Sequence, residues 1–346
     1  MAFYQCPKCK KVWQYPIEKC PDCFLNLERM KSEHPKVVGI SKVAIPTVFH
    51  PEIPYFVLVL EDKNGNRWVQ KSIKEYRLGD EFKIETAKDK NAVAIWRVKY
   101  DFGEGIEKAV ELLEGININQ NSKILVLPTL VSPVHPFFAE NTSPQFLEAA
   151  IKYLTEKGVK IENIKVAGQS FDEIPIEFSA QKSQLLTTCQ KYKIIPLDLA
   201  KTNFIKKTQN NLSFEISEEV FNSDLIFNLP ILKIGKASAS ENILKVLKKE
   251  SYLGLKYLTS DEEIIEALGK ILPGLFTLAD AEVVQDEDKF THFFGLVLAS
   301  FNYLNLDRAF AEVAMLEELP ELLKKVKIDN IPILGRQLKE LRYRAK

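Results

Sequence analysis

Cys6-Pro7-Lys8-Cys9 and Cys20-Pro21-Asp22-Cys23 open the chain, with ten residues between them, and their reading decides the first part of the fold. Each Cys-x-x-Cys pair puts two sulfurs on one tight turn. Two such pairs close a tetrahedral shell around a single ion. A closed four-sulfur shell leaves no open coordination position, so the metal is expected to be structural, stabilising a lobe with little core of its own. Disulfides would need an oxidising compartment. The opening Met-Ala-Phe-Tyr-Gln-Cys carries neither a basic n-region nor an apolar h-region, so a reduced, cytoplasmic setting is expected.

The sulfur set favours zinc over iron. Rubredoxin-like iron sites usually carry glycine after each cysteine pair, and Lys10 and Phe24 stand there. The fifth cysteine, Cys189, lies in a helical pattern without a histidine nearby and reads as a buried, inert thiol.

Outward from the cysteines, a short link (Leu25 to Lys31) gives way to strand patterns. Val37–Ile45, Tyr55–Leu60, Arg67–Lys71, Phe82–Glu85 and Ala92–Val98 are rich in β-formers. Asn64-Gly65 marks a hairpin and Leu78-Gly79-Asp80 a further turn. Five short strands without a helix predict a small barrel of the OB type. Trp13, Tyr55, Phe56, Trp68 and Trp96 would fill that barrel or present a stacking platform, with Lys42, Lys71 and Arg97 as phosphate partners.

With ribbon, link and five strands in this order, residues 3–100 resemble the zinc-ribbon/OB-fold family called domain of unknown function 35. The resemblance implies a non-catalytic companion of thiolases and hydroxymethylglutaryl-CoA synthases that docks the enzyme or shuttles its acyl-CoA.

From Phe102 the rhythm becomes α/β. Glu104–Glu114 predicts a helix stopped by Gly115, and Ser143-Pro144 starts another that ends at Gly158. Ser260-x-x-Glu263 is a capping box. Apolar runs at Lys123–Leu127, Lys165–Gly168, Ile194–Leu197, Asp224–Leu229, Leu275–Leu278 and Gly295–Ala299 predict a mainly parallel sheet covered by helices. Ligands in such sheets sit at the carboxyl ends of the strands. The expected organisation is therefore multidomain: ribbon and linker at 1–33, barrel at 34–101, an α/β domain at 102–335 and a basic tail at 336–346.

Residues 104–335 resemble the family called domain of unknown function 362. The resemblance rests on Pro128, Leu130, Val131, Pro144, Gly168, Ser170, Asp224, Asn228, Pro230, Lys233, Asp280 and Asp307. Where that family has charged or metal-competent groups, this chain has Leu127, Thr129, Gln169, Gly235 and Asn302. Cysteine runs for iron–sulfur clusters are absent too, so the cleft is depleted for cation binding and for general-base chemistry. The groups left for chemistry on a small anionic substrate are Lys233, His135, Asp280 and Asp307, with Lys236 beside Lys233 to clamp an anion. His292 beside Asp286 and Asp288 reads as part of a solvated turn.

Composition narrows the functions further. Lys plus Arg and Asp plus Glu both total 47, so no global field draws nucleic acid, although residues 1–100 hold 18 basic against 12 acidic groups. No apolar run reaches the roughly 20 residues that cross a bilayer. Gly-x-Gly-x-x-Gly, Walker and Gly-x-Ser-x-Gly motifs are absent. The expectation is an accessory protein of the first resemblance's type. An enzyme acting on a small anion is the first alternative, and single-stranded nucleic-acid binding through the ribbon and barrel is the second.

Overall fold

The computed structural model describes residues 2–341, apart from Pro16, Val48, Phe49, Pro51, Glu52, Glu85, Tyr100 and Glu173. Arg342 and Arg344 of the basic tail lie outside the described residues. The chain divides into two compact units, Met1–Glu85 with Lys339–Leu341, and Thr86–Leu338 with Arg342–Lys346.

In the first unit, β1 (Ala2–Gln5) lies between β2 (Val12–Trp13) and β3 (Glu28–Lys31) in an antiparallel ribbon. A second antiparallel sheet follows, β4 (Lys36–Val43), β5 (Tyr55–Glu61) and β6 (Arg67–Ser72), in chain order. The β5–β6 turn is the expected Asn64-Gly65 turn. Gly65 takes φ 79°, and the buried Asp62 carboxylate accepts from Asn64 N and Asn66 N, both at 2.9 Å. The Leu78-Gly79-Asp80 turn brings Asp80 and Phe82 back to the start of β4, through Val37 N to Asp80 O at 2.9 Å and Phe82 N to Pro35 O at 2.8 Å.

One core unites these pieces: Phe3 of the ribbon joins Val37, Phe56, Leu58, Leu60 and Trp68. The Phe3 and Trp68 rings meet edge to face at 5.7 Å. Lys71 and Glu340 pair within this unit, and the Lys71 ammonium lies 4.4 Å from the Tyr55 ring.

The expected fifth barrel strand is a correction. The unit ends at Glu85, and β7 (Val93–Arg97) belongs to the second unit, where it pairs with two later strands. Val-Ala-Ile-Trp reads equally well in a barrel or a buried sheet, and only distant pairing decides between them. The boundary expected at 101/102 therefore falls at 85/86.

The second unit continues with α1 (Phe102–Leu112), β8 (Ile124–Pro128), α2 (Pro144–Glu156), β9 (Ile164–Gly168), α3 (Ile176–Lys182), α4 (Leu185–Lys191) and β10 (Leu197–Asp198). A hairpin of β11 (Phe204–Gln209) and β12 (Leu212–Ser217) leads through α5 (Glu218–Phe221) into β13 (Leu225–Leu229), β14 (Ile231–Lys233) and α6 (Ser238–Asn242). Then come α7 (Lys249–Leu258), α8 (Asp261–Ile271), β15 (Leu275–Gln285), β16 (Thr291–Ser300), α9 (Tyr303–Val313), α10 (Glu321–Lys324) and β17 (Ile333–Gly335).

The nine-stranded sheet is mixed. Strands β10, β9, β8, β13 and β15 run parallel in that spatial order, with β14 parallel to β15 beyond β13. On the other side of β15 the neighbours are antiparallel, β15 to β16 and β16 to β7, and β17 closes the edge parallel to β7. The last two expected strands are thus one long hairpin, because Asp286–Phe290 makes a tight turn in which Phe290 N donates to Asp286 Oδ1 at 2.8 Å.

Helix starts follow the sequence signals. Ser143 Oγ accepts from Phe146 N, Ser260 Oγ from Glu263 N, and Asp101 caps α1 through Glu104 N. Gly105 lets α1 lie close on β16, since a Cβ there would stand 3.3 Å from Val297 Cγ2.

Candidate metal centre and strand-end cleft

The four cysteines expected to hold a metal converge. Cys6, Cys9, Cys20 and Cys23 place their Sγ atoms all within 4.8 Å of one another, and Cys9 and Cys20 Sγ stand 3.6 Å apart. A tetrahedral shell with Zn–S bonds of about 2.3 Å requires sulfur separations of about 3.8 Å, so the donor set fits an ion of that size.

The two cysteine turns are built alike. Cys6 O accepts from Lys10 N at 3.0 Å and Cys20 O from Phe24 N at 2.8 Å. Lys11 O then accepts from Cys6 N and Leu25 O from Cys20 N. Lys10 (φ 61°) and Phe24 (φ 56°) adopt the left-handed conformation these turns impose, without the glycine that makes it unstrained. The backbone amides of Cys9 and Lys8 outweigh burial and draw the Cys6 thiol down to about 7. Burial, reinforced by the neighbouring thiols, pushes Cys23 up to about 12 and raises Cys20. An ion bound here would displace the protons that the thiols hold.

In the second unit the expected site residues separate. Asp307 on α9 is 2% exposed and caps the start of α6: its Oδ1 accepts from Ala239 N at 2.9 Å, and its Oδ2 from Ser240 N at 2.8 Å and Ser240 Oγ at 2.7 Å. Burial, only partly offset by those donors, lifts its carboxyl to about 7. Asp280 lies inside β15 rather than beyond its end. It is fully enclosed, accepts from Ser143 N at 3.3 Å and Glu282 N at 3.1 Å, and has its pKa raised by burial. His135 caps a single helical turn through Phe137 N at 3.2 Å, and its other ring nitrogen lies 3.2 Å from Gln184 Nε2.

The positions that depart from the second family's pattern form an inward-facing neutral network. Thr129 Oγ donates to Asn242 Oδ1, and Asn242 Nδ2 donates to Leu127 O and Asn228 Oδ1. Asn228 Nδ2 in turn reaches Ala239 O and Thr277 Oγ. Gln169, 1% exposed, donates to Lys245 O at 2.9 Å and Leu247 O at 2.6 Å. These side chains tie the carboxyl ends of β8, β9 and β13 to the segment that follows β14. Asn302 caps α9 through Asn305 N, and His292 is bonded to Asp286 at 2.7 Å in the β15–β16 turn.

The cationic groups are different. Lys233, at the end of β14, is half-buried, and burial lowers its pKa. Lys236 follows it. Lys245, missed from the sequence because it sits in an unremarkable helical run, is half-buried and held at about 8 by burial, against the pull of Asp172 and Glu241. Its ammonium lies 3.9 Å from the Phe171 ring centroid, and that ring stacks on Tyr252 at 5.1 Å.

Two of the five aromatics expected to fill the barrel or stack a ligand, Trp68 and Trp96, belong to different units. Trp68 is packed in the first core at 7% exposure, and Trp96, on β7, faces the Arg336 guanidinium at 5.7 Å.

The fold and site define a two-unit protein, a cysteine-ribbon lobe on one chain with a mixed α/β sheet. Residues 124–239, from β8 into α6, match the family described as Domain of unknown function (DUF362). Among solved structures four chains match. One is "Ltp2-ChsH2(DUF35) aldolase", 24% identical, with a TM-score of 0.20, covering 23% of this chain and 67% of that one. The second family resemblance read from the residues is matched over residues 124–239, 116 positions. The search of curated proteins returns no match. Among the described residues, no helix is long and apolar enough to cross a membrane.

Proposed function

We propose that the chain is a non-catalytic accessory protein of the cytoplasm. Its ribbon holds one structural zinc, with iron the second choice, and its first lobe, of OB type, docks a thiolase-like or hydroxymethylglutaryl-CoA-synthase-like enzyme or that enzyme's acyl-CoA. The partner class comes from the sequence resemblance of residues 3–100. The observation that carries the absence of catalysis is the inward commitment of the acidic groups. Asp307 spends both carboxylate oxygens on the start of α6, and Asp280 is enclosed against Ser143 N and Glu282 N. A general base must be in reach of substrate, and both carboxylates are enclosed by protein and bonded inward.

The test is co-purification from the native host together with calorimetric titration of the purified chain with acetyl-CoA. A stoichiometric thiolase-fold enzyme, or saturable acetyl-CoA binding, is the expected result. Recovery of neither overturns the reading.

The second reading, an enzyme acting on a small anionic substrate, is favoured by Lys233, which has no carboxylate in contact with its ammonium among the described residues. It requires that Lys233→Ala and Asp280→Ala abolish turnover without lowering the melting temperature. Nucleic-acid binding requires steeply salt-dependent retention on single-stranded DNA or RNA. The even charge balance argues against it.

A further inference from the structure

Lys339–Leu341 joins the first unit from far along the sequence, and its Glu340 meets a lysine 269 positions earlier. The Glu340 carboxylate pairs with the Lys71 ammonium, and both side chains are nearly closed to solvent, at 7% and 14% exposure. Leu341 beside it is buried as well.

The remaining contacts of that ammonium come from the body of the first unit. Lys71, on β6, lies 4.4 Å from the centroid of the Tyr55 ring at the start of β5. His50 Nδ1 stands 3.4 Å from the same nitrogen, and the His50 and Tyr55 rings are 5.4 Å apart. A cation held over an aromatic face and beside an imidazole keeps its place without the carboxylate. The receptor is therefore formed by residues 50–71, and Glu340 fills it.

The segment that fills it is lightly tied. Desolvation largely offsets the attraction within a buried ion pair, so the pair adds little net stability. Three residues with one buried leucine complete the hold. Among the described residues Lys71 is the one cation paired with Glu340, and a lone ammonium matches the single charge of a carboxylate better than the larger charge of a phosphate.

We propose that Lys71, Tyr55 and His50 form a recognition site on the first unit for an acidic peptide of a partner protein, a glutamate followed by an apolar residue, and that Glu340-Leu341 occupies it as an internal competitor. The proposal rests on the reading of the first unit as the docking lobe and names the residues that dock. A partner engages only when the segment leaves, and a tethered segment competes as though present at up to about millimolar concentration.

The experiment uses a fluorescent peptide with the sequence of residues 337–343, Gln-Leu-Lys-Glu-Leu-Arg-Tyr. Anisotropy titrations are run on the full wild-type chain, on Glu340→Gln combined with Leu341→Ser, and on that double variant carrying Lys71→Met, with the melting temperature of each. The expected result is binding to the double variant at least about tenfold tighter than to the wild type, and its loss with Lys71→Met. In the wild-type chain, saturating peptide should raise amide hydrogen exchange at 339–341, a readout that needs no variant to fold. The titration contains neither a thiolase nor acyl-CoA, so the site and the docking reading fail separately. No saturable binding to the double variant, equal affinity for the wild type, binding indifferent to Lys71→Met, or displacement by equimolar inorganic phosphate overturns the proposal.

Discussion

Asp307→Ala separates a carboxylate that builds the fold from one that serves chemistry. In the native chain it accepts from the amides of Ala239 and Ser240 and from the Ser240 hydroxyl, and all three residues are at most 2% exposed. Alanine leaves two buried amides without acceptors, while the hydroxyl can turn elsewhere. At about 1–3 kcal/mol for each orphaned donor, the loss is about 2–6 kcal/mol, or roughly 4–24 °C in melting temperature for a unit of this size. Asp307→Asn adds a test of sign. Because the folded carboxyl titrates near 7 instead of its ordinary 3.8, the folded chain binds a proton more readily than the unfolded one. The stability this contributes is complete below about pH 4 and is lost as pH rises through 7, so across that window the wild-type chain should lose stability relative to the asparagine variant. Urea unfolding followed by far-UV circular dichroism reads both. An alanine variant of undiminished stability would refute the capping role and return Asp307 to the list of functional groups.

Further outcomes follow from other sites. Phe24→Gly should stabilise the ribbon by about 0.5–1 kcal/mol, since Phe24 is 75% exposed at φ 56° and glycine removes the left-handed penalty with little packing lost; thermal unfolding under reducing conditions measures it. Lys245→Met should exceed the wild type in melting temperature by most below pH 8. The gap should close between pH 8 and 10.5, because the native lysine deprotonates near 8 and the unfolded one near 10.5. Asp62→Ala should cost about 1–3 kcal/mol, by freeing the amides of Asn64 and Asn66 in the β5–β6 turn; a chemical denaturation midpoint unchanged from wild type would contradict it.

Local signals carried much of this structure. The cysteine spacing, the Asn64-Gly65 turn, Ser143-Pro144 and the Ser260 capping box each act over a few residues, and each is found where the sequence places it. What the residues leave open is long-range pairing. Val93–Arg97 has the composition of a barrel strand and pairs instead with β16 and β17. The β11–β12 hairpin escaped notice although Asn210-Asn211, both left-handed, was its turn signal. At the cleft, the lost charges at Thr129 and Gln169 were readable as losses, but that the amide of Gln169 carries the backbone of Lys245 depends on two segments more than 70 positions apart. The apolar run ends at Leu278, two residues before Asp280. The strand continues through it to Gln285.

The account depends most on Cys6, Cys9, Cys20 and Cys23 gripping one ion. Elemental analysis by plasma mass spectrometry of freshly purified, reduced protein, alongside Cys23→Ser, measures that directly. One zinc per wild-type chain and a markedly lower content in the serine variant is the result the account predicts. Metal-free wild-type protein with an unaltered circular dichroism spectrum would contradict it.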